Sequence, residues 1–198
     1  MDLFMVKALM PVSESSSAAG LYTAVQTFGR IPYVLVVALA LVMFPLISSS
    51  SFAKDMNQCR KYIRGAFRFP LVIIAPIAIF LSVFARDCIG VVYPDSYDSA
   101  APVLAILALA ELLLALFYLA TAIINGSGHP GISIAGTVIG IGFHIAACWI
   151  LIPEYGILGA AWGSVVGWSV GFLICGAYIL YQFKTFVKLW TVFRTVPV

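Results

Sequence analysis

Apolar residues fall along this chain in long unbroken runs, not in the alternation of half-buried strands or the one-sided stripe of a soluble helix. Five runs stand out, near residues 20–47, 66–85, 100–124, 131–152 and 156–183. Each is close to or above the roughly 20 residues a helix needs to cross a hydrocarbon core of about 30 Å. Strands of a membrane barrel are shorter and alternate apolar with polar residues, which these runs do not. Between them lie SSSSFAKD, YPDSYDS, NGSGHPG and PEYG, clusters of the glycine, proline and short polar residues that interrupt helices. The pattern predicts an all-α fold, a polytopic bundle of transmembrane helices.

Composition narrows the function. Of 198 residues, 63% are hydrophobic and 10% charged, against roughly 45–50% and 25% in soluble domains. A mean hydropathy of +1.07 excludes a soluble enzyme and a disordered regulator. The net charge of +3 comes without a basic stripe, so no nucleic-acid partner is expected. Cys59, Cys88, Cys148 and Cys175 stand far apart, without metal-ligand or CxxC spacing. They read as small apolar packing residues, and neither a metal nor a cofactor is expected.

Charge also orients the chain. Lys54, Arg60, Lys61, Arg64 and Arg68 follow the first run against one acid, Asp55, whereas residues 86–99 set Arg86 against Asp87, Asp95 and Asp98. Lys184, Lys188 and Arg194 come after the last run with no acid. Cytoplasmic loops carry the excess of Lys and Arg, which predicts a cytoplasmic C-terminus and an N-terminus outside. Residues 1–10 lack a basic segment leading into an apolar one, so no signal peptide is expected. The opening MDLFMVKALMPV reads instead as the end of a helix begun earlier, as in a fragment of a longer chain. The closing KTFVKLWTVFRTVPV interleaves cations with Phe186, Trp190 and Phe193. That composition suits the inner membrane surface near anionic lipid, or the approach to a further span.

Function in a membrane protein concentrates in polar residues at depth, because each costs free energy there. Glu111 lies mid-run, with Tyr118 and Asn125 on nearly the same helical face. It reads as a proton-coupling or cavity carboxyl, or as a protonated group bonded to a neighbouring helix. His144 ends a stripe of Ser133, Thr137 and Gly140. It reads as a neutral histidine donating to a backbone carbonyl, or as one lining a cavity. Arg30 shares a face with Tyr22, Gln26 and Tyr33. Its guanidinium either snorkels outward or points into an aqueous cavity to hold phosphate. Arg68 reads as an interfacial anchor. Gly159, Gly163, Gly167 and Gly171 recur every four residues, a groove that lets another helix approach closely. Pro32, Pro45, Pro70 and Pro76 each predict a bend.

Several stretches, in order, resemble one family. They are Asp2-Leu-Phe-Met-Val-Lys7 with Ala19-Gly20-Leu-Tyr22-Thr-Ala24, then Pro45, then Val92-Tyr93-Pro-Asp-Ser-Tyr97 with the Leu-rich run from Ala100. Asn125-Gly126-Ser-Gly128-His-Pro130 and the run from Ile150 through Pro153, Tyr155, Gly156 and Gly159 to Trp162 complete the series. Together they resemble the polysaccharide-biosynthesis transporters, lipid-linked oligosaccharide flippases of the multidrug/oligosaccharidyl-lipid/polysaccharide exporter superfamily. The resemblance implies that residues 1–198 are the C-terminal lobe of a two-lobed transporter. An absent N-terminal lobe, or a second copy, would close the cavity. It implies alternating access in a cell membrane, no enzymatic step, and a polyprenyl-pyrophosphate-linked glycan as cargo. Membrane lipid and glycosyltransferases are the expected neighbours, and Arg30 with Lys7 are the candidates for the pyrophosphate. A cation-coupled multidrug exporter of the same superfamily and a non-transporting membrane scaffold are the alternatives.

Overall fold

The computed structural model describes residues 1–183, the side chains of residues 12–14 excepted; Lys184, Lys188 and Arg194, with the aromatics between them, lie outside the described residues. Every regular element described is helical: α1 (Asp2–Leu9), α2 (Val12–Gly29), α3 (Ile31–Phe52), α4 (Met56–Phe69), α5 (Ala75–Val83), α6 (Ala85–Val92), α7 (Ala101–Gly126), α8 (Pro130–Tyr155) and α9 (Ile157–Phe183). A π turn, Pro70–Ile74, joins α4 to α5, and a 3-10 turn, Asp95–Ala100, leads into α7. Five helical stretches are long and apolar enough to cross a membrane: Ile31–Phe52, Met56–Val83, Asp95–Gly126, Pro130–Tyr155 and Ile157–Phe183. This is a polytopic helical membrane bundle.

α7 is its axis. A helix that is apolar on all sides is a buried one, and Leu104, Leu107, Leu119, Ile123 and Ile124 are fully enclosed around this helix. α2, α3, α5 and α9 pack against it, and α8 packs on α9. The outer faces of α3 and α8 expose Leu41, Val42 and Phe44, and Ile134, Val138, Phe143 and Trp149. In water such surfaces would demand a partner; in a bilayer, lipid is that partner.

Two boundaries differ from the hydropathy reading. The run near residues 20–47 is divided at Arg30, where the backbone stays helical (φ −73°, ψ −11°) but α2 ends and α3 begins. Pro32 falls in the first turn of α3, where its missing N–H costs no helical hydrogen bond. The basic segment after that run is not an open loop. Asp55 caps α4 by accepting from Gln58 N at 2.9 Å, and Cys59, Ile63 and Ala66 are buried toward the bundle. At Pro70 the absent N–H removes one rung of the helical ladder, and the chain widens into the π turn. Further on, Gly128 and Gly156 turn at φ +86° and +56°, a region that glycine enters without a Cβ clash.

Candidate functional site

The most enclosed polar group in the bundle is built around Asp2. α1 delivers its carboxylate to the junction of α2, α8 and α9. There Tyr22 Oη donates to Oδ2 at 2.7 Å and Ser164 Oγ donates to the same oxygen at 3.0 Å. His144 Nε2 faces Oδ1 at 3.0 Å. Three donors from three helices thus replace the water a carboxylate loses on burial. The imidazole is 1% exposed. Its ring stacks on Trp168 with centroids 5.9 Å apart, and Cys148 Sγ lies 3.6 Å from Nε2. Nδ1 has no hydrogen-bond partner among the described residues.

An ionic contact joins the α2/α3 junction to α7. Arg30 Nε lies 3.9 Å from Glu111 Oε1; the arginine side chain is 58% exposed and the glutamate side chain 7%. The contact sits at the outer limit of an ion pair, so most of the guanidinium's five N–H donors have no acceptor among the described residues. Glu111 Oε2 is buried without a partner among the described residues. Below it on the same helix, Tyr118 meets Tyr33 edge to face at 5.9 Å. Tyr118, Thr121 and Asn125 line a groove of about 220 Å³ between α3 and α7.

A larger groove, about 470 Å³, runs between α1 and α2 and is closed at one side by Tyr93. Lys7 stands on one wall, and Ser16, Gly20, Thr23 and Thr27 form the other. Those four positions, with Arg30, follow i, i+4, i+7, i+11 and i+14 along one side of α2, and all five are exposed. The exposed face of α2 is therefore polar and small, whereas the exposed faces of α3 and α8 are apolar. Lipid accepts the second kind of surface and not the first.

The structure places the sequence candidates unevenly. Lys7 and Arg30 lie on the open polar side. Glu111 is 5% exposed and touches that side only through Arg30. His144 lines neither groove, and it faces a carboxylate instead of a backbone carbonyl. Tyr22 leaves the face on which the sequence grouped it with Arg30: it is fully buried on Asp2 while Arg30 points outward. The eight positions between them turn a helix by two full turns and a further ~80°, enough to separate the two side chains.

Gly159, Gly163, Gly167 and Gly171 all face α8 or α7. A Cβ added at Gly163 would run into Cys148 Sγ, and one at Gly167 into His144 Cβ, so this contact also seats the histidine. Asp2 and Ser164 escaped the sequence reading. Asp2 carried the signal that singled out Glu111, an acid in an apolar helix, but it stood in a short segment with no full span around it. Ser164 gave no signal, since serine is ordinary in such helices. No cluster of three or more His, Cys, Asp and Glu disposed to hold a metal is found among the described residues.

Residues 5–102 match the family model described as polysaccharide biosynthesis protein. The chain is 33% identical over 130 residues to an uncharacterized membrane protein of Methanocaldococcus jannaschii, covering 65% of this chain and 25% of that protein. It is 23% identical over 172 residues to a probable low-salt glycan biosynthesis flippase, Agl15, of Haloferax volcanii, covering 87% of this chain and 36% of that one. The chain thus spans between a quarter and somewhat over a third of the length of these relatives. No solved structure matches it. With its long apolar helices, the chain is a multi-pass membrane protein similar in sequence to polysaccharide-biosynthesis and flippase-type membrane proteins.

Proposed function

We propose that the protein carries a polyprenyl-pyrophosphate-linked oligosaccharide from the cytoplasmic to the outer leaflet for cell-surface polysaccharide export, by alternating access. The observation that carries this reading is the exposed polar side of α2, with Arg30 and Lys7 as its cations, on a bundle whose long helices α3 and α8 expose apolar faces. A surface of that kind suits the wall of an aqueous cavity. The glycan and its charged pyrophosphate occupy the cavity while the polyprenyl tail stays in lipid. No bond is made or broken, so the protein acts without enzymatic chemistry. The opposite wall is a second lobe or a second copy, the N-terminus lies outside, and the C-terminus lies in the cytoplasm beside the glycosyltransferases that build the cargo.

Arg30 meets the pyrophosphate, since a planar guanidinium matches phosphate oxygens in pairs. The test is flipping of a fluorescent polyprenyl-pyrophosphate glycan in proteoliposomes containing the full chain, with and without Arg30→Ala. Loss of a hydrogen bond to a charged group costs about 1.5–3 kcal/mol, so a fall of roughly tenfold to a hundredfold is expected. Wild-type rates in the variant would remove Arg30 from the mechanism. Export of a cationic dye in place of the glycan, driven by a cation gradient, would establish the drug exporter instead. Capture of a glycosyltransferase with no transport of either would establish the scaffold.

A further inference from the structure

We infer that the groove between α1, α2 and Tyr93 is a saccharide subsite, in which Tyr93 packs against a sugar ring, the α2 hydroxyls accept from its hydroxyl groups, and Lys7 meets the adjoining phosphate. The inference rests on the function proposed above and goes beyond it by dividing the cargo between parts of one groove. A volume of about 470 Å³ falls within the range of about 300–1,000 Å³ for small-ligand pockets.

The walls have the chemistry of a ligand that is hydroxyl-rich and anionic at one end. Thr23 Oγ1 donates its proton to Ala19 O at 2.7 Å, and Thr27 Oγ1 donates to Thr23 O at 3.1 Å. With their protons committed to the helix, both oxygens offer lone pairs alone to the groove. A ligand carrying O–H donors satisfies them, and a hydrocarbon does not. Lys7 is exposed and has no ion-pair or hydrogen-bond partner among the described residues, so its ammonium is free to meet an anion.

Tyr93 supplies the third element. It stacks on Tyr97 with centroids 4.8 Å apart and meets Phe28 edge-on at 6.0 Å, which fixes its ring at the groove wall. The negative face of an aromatic ring attracts weakly positive C–H edges, and the C–H face of a pyranose presents them. Gly20 leaves its part of the wall open: a Cβ there would meet nothing within 4 Å.

The experiment measures binding of two probes to the full chain in nanodiscs, a polyprenyl-pyrophosphate oligosaccharide and the bare polyprenyl pyrophosphate. Tyr93→Leu should weaken the glycosylated probe by roughly threefold to tenfold. Thr23→Val keeps the side-chain shape and should weaken the same probe by about threefold to tenfold. The bare pyrophosphate should bind both variants as it binds wild type, and Tyr93→Phe should bind both probes normally. Lys7→Ala should weaken the two probes equally. Thr23→Val answers the question even where Tyr93→Leu fails to fold, because Thr23 is exposed and its hydroxyl supports no other helix. Equal losses for both probes in Thr23→Val, or no loss, would overturn the saccharide subsite. Wild-type protein that binds both probes alike would overturn it too while leaving the flippase reading intact. Wild-type protein that binds neither would sink that reading itself.

Discussion

Asp2 and His144 form a pair whose cost of burial is met only while both are present. The Asp2 side chain is 12% exposed and the His144 side chain 1%. Removing the histidine leaves a buried carboxylate with Tyr22 and Ser164 as its remaining donors. Single hydrogen bonds between membrane helices reach only about 1.7 kcal/mol, whereas a broken buried ion pair costs about 3–5 kcal/mol. His144→Ala is therefore expected to lose more than the first figure and to approach the second, read by unfolding in mixed micelles. Asp2→Asn combined with His144→Gln should lose less than His144→Ala alone, because no unpaired charge remains; a larger loss would refute the ionic account. Glu111 differs, since one carboxyl oxygen has no partner to lose. Glu111→Gln should leave the amount of folded protein unchanged and slow transport, whereas an equal fall in both would make the carboxyl a packing group. Depth singled out both Glu111 and His144 in the sequence. It could not pair His144 with a residue 142 positions away.

Among the elements, α8 and α9 depend most on small residues. Gly140 and Gly167 meet backbone to backbone, with a Cβ at Gly140 lying 3.0 Å from Gly167 O. Such close approach gives membrane helices their dispersion contacts where no hydrophobic drive separates helix from lipid. Gly167→Ala should force the helices apart at His144 and cost about 1–3 kcal/mol, the usual penalty for overpacking. Gly176→Ala, on the same helix with open space around it, should be neutral or slightly stabilising through helix propensity. Equal effects at the two sites would contradict the packing geometry. Four-residue glycine spacing is legible in any sequence; the partner helix is not. α4 makes the same point. Its charges were legible, but Arg60 also donates from Nε to Phe183 O at 2.7 Å. The basic segment is thereby tied to the last described turn of α9.

Over the whole molecule, exposure separates into two chemistries. Cysteines placed along α2 at Ser16→Cys or Thr27→Cys, in a background freed of the native thiols, should react with a membrane-impermeant maleimide. Val138→Cys and Phe143→Cys on α8 should not. Protection at all four positions would place α2 against lipid or a sealed partner and remove the proposed cavity wall. Thiol labelling from either side of sealed vesicles also tests the orientation proposed from the basic residues around α4.

The sequence by itself determined that the chain is helical, that it inhabits a membrane, and approximately where five apolar helices lie, because hydrocarbon admits only structures that satisfy their own backbone and runs this long without alternation are helices, not barrel strands. It also determined which polar residues stand out, since each is a local exception to an apolar run. Tertiary structure alone decided which exceptions meet. Asp2 reaches Ser164, and Arg30 reaches Glu111. Tyr22 turns inward while Thr23 and Thr27 turn out. Periodicity fixes the angle of a side chain on its own helix. What that side chain faces depends on how the helices pack, and packing is settled by many weak contacts between residues far apart in the chain.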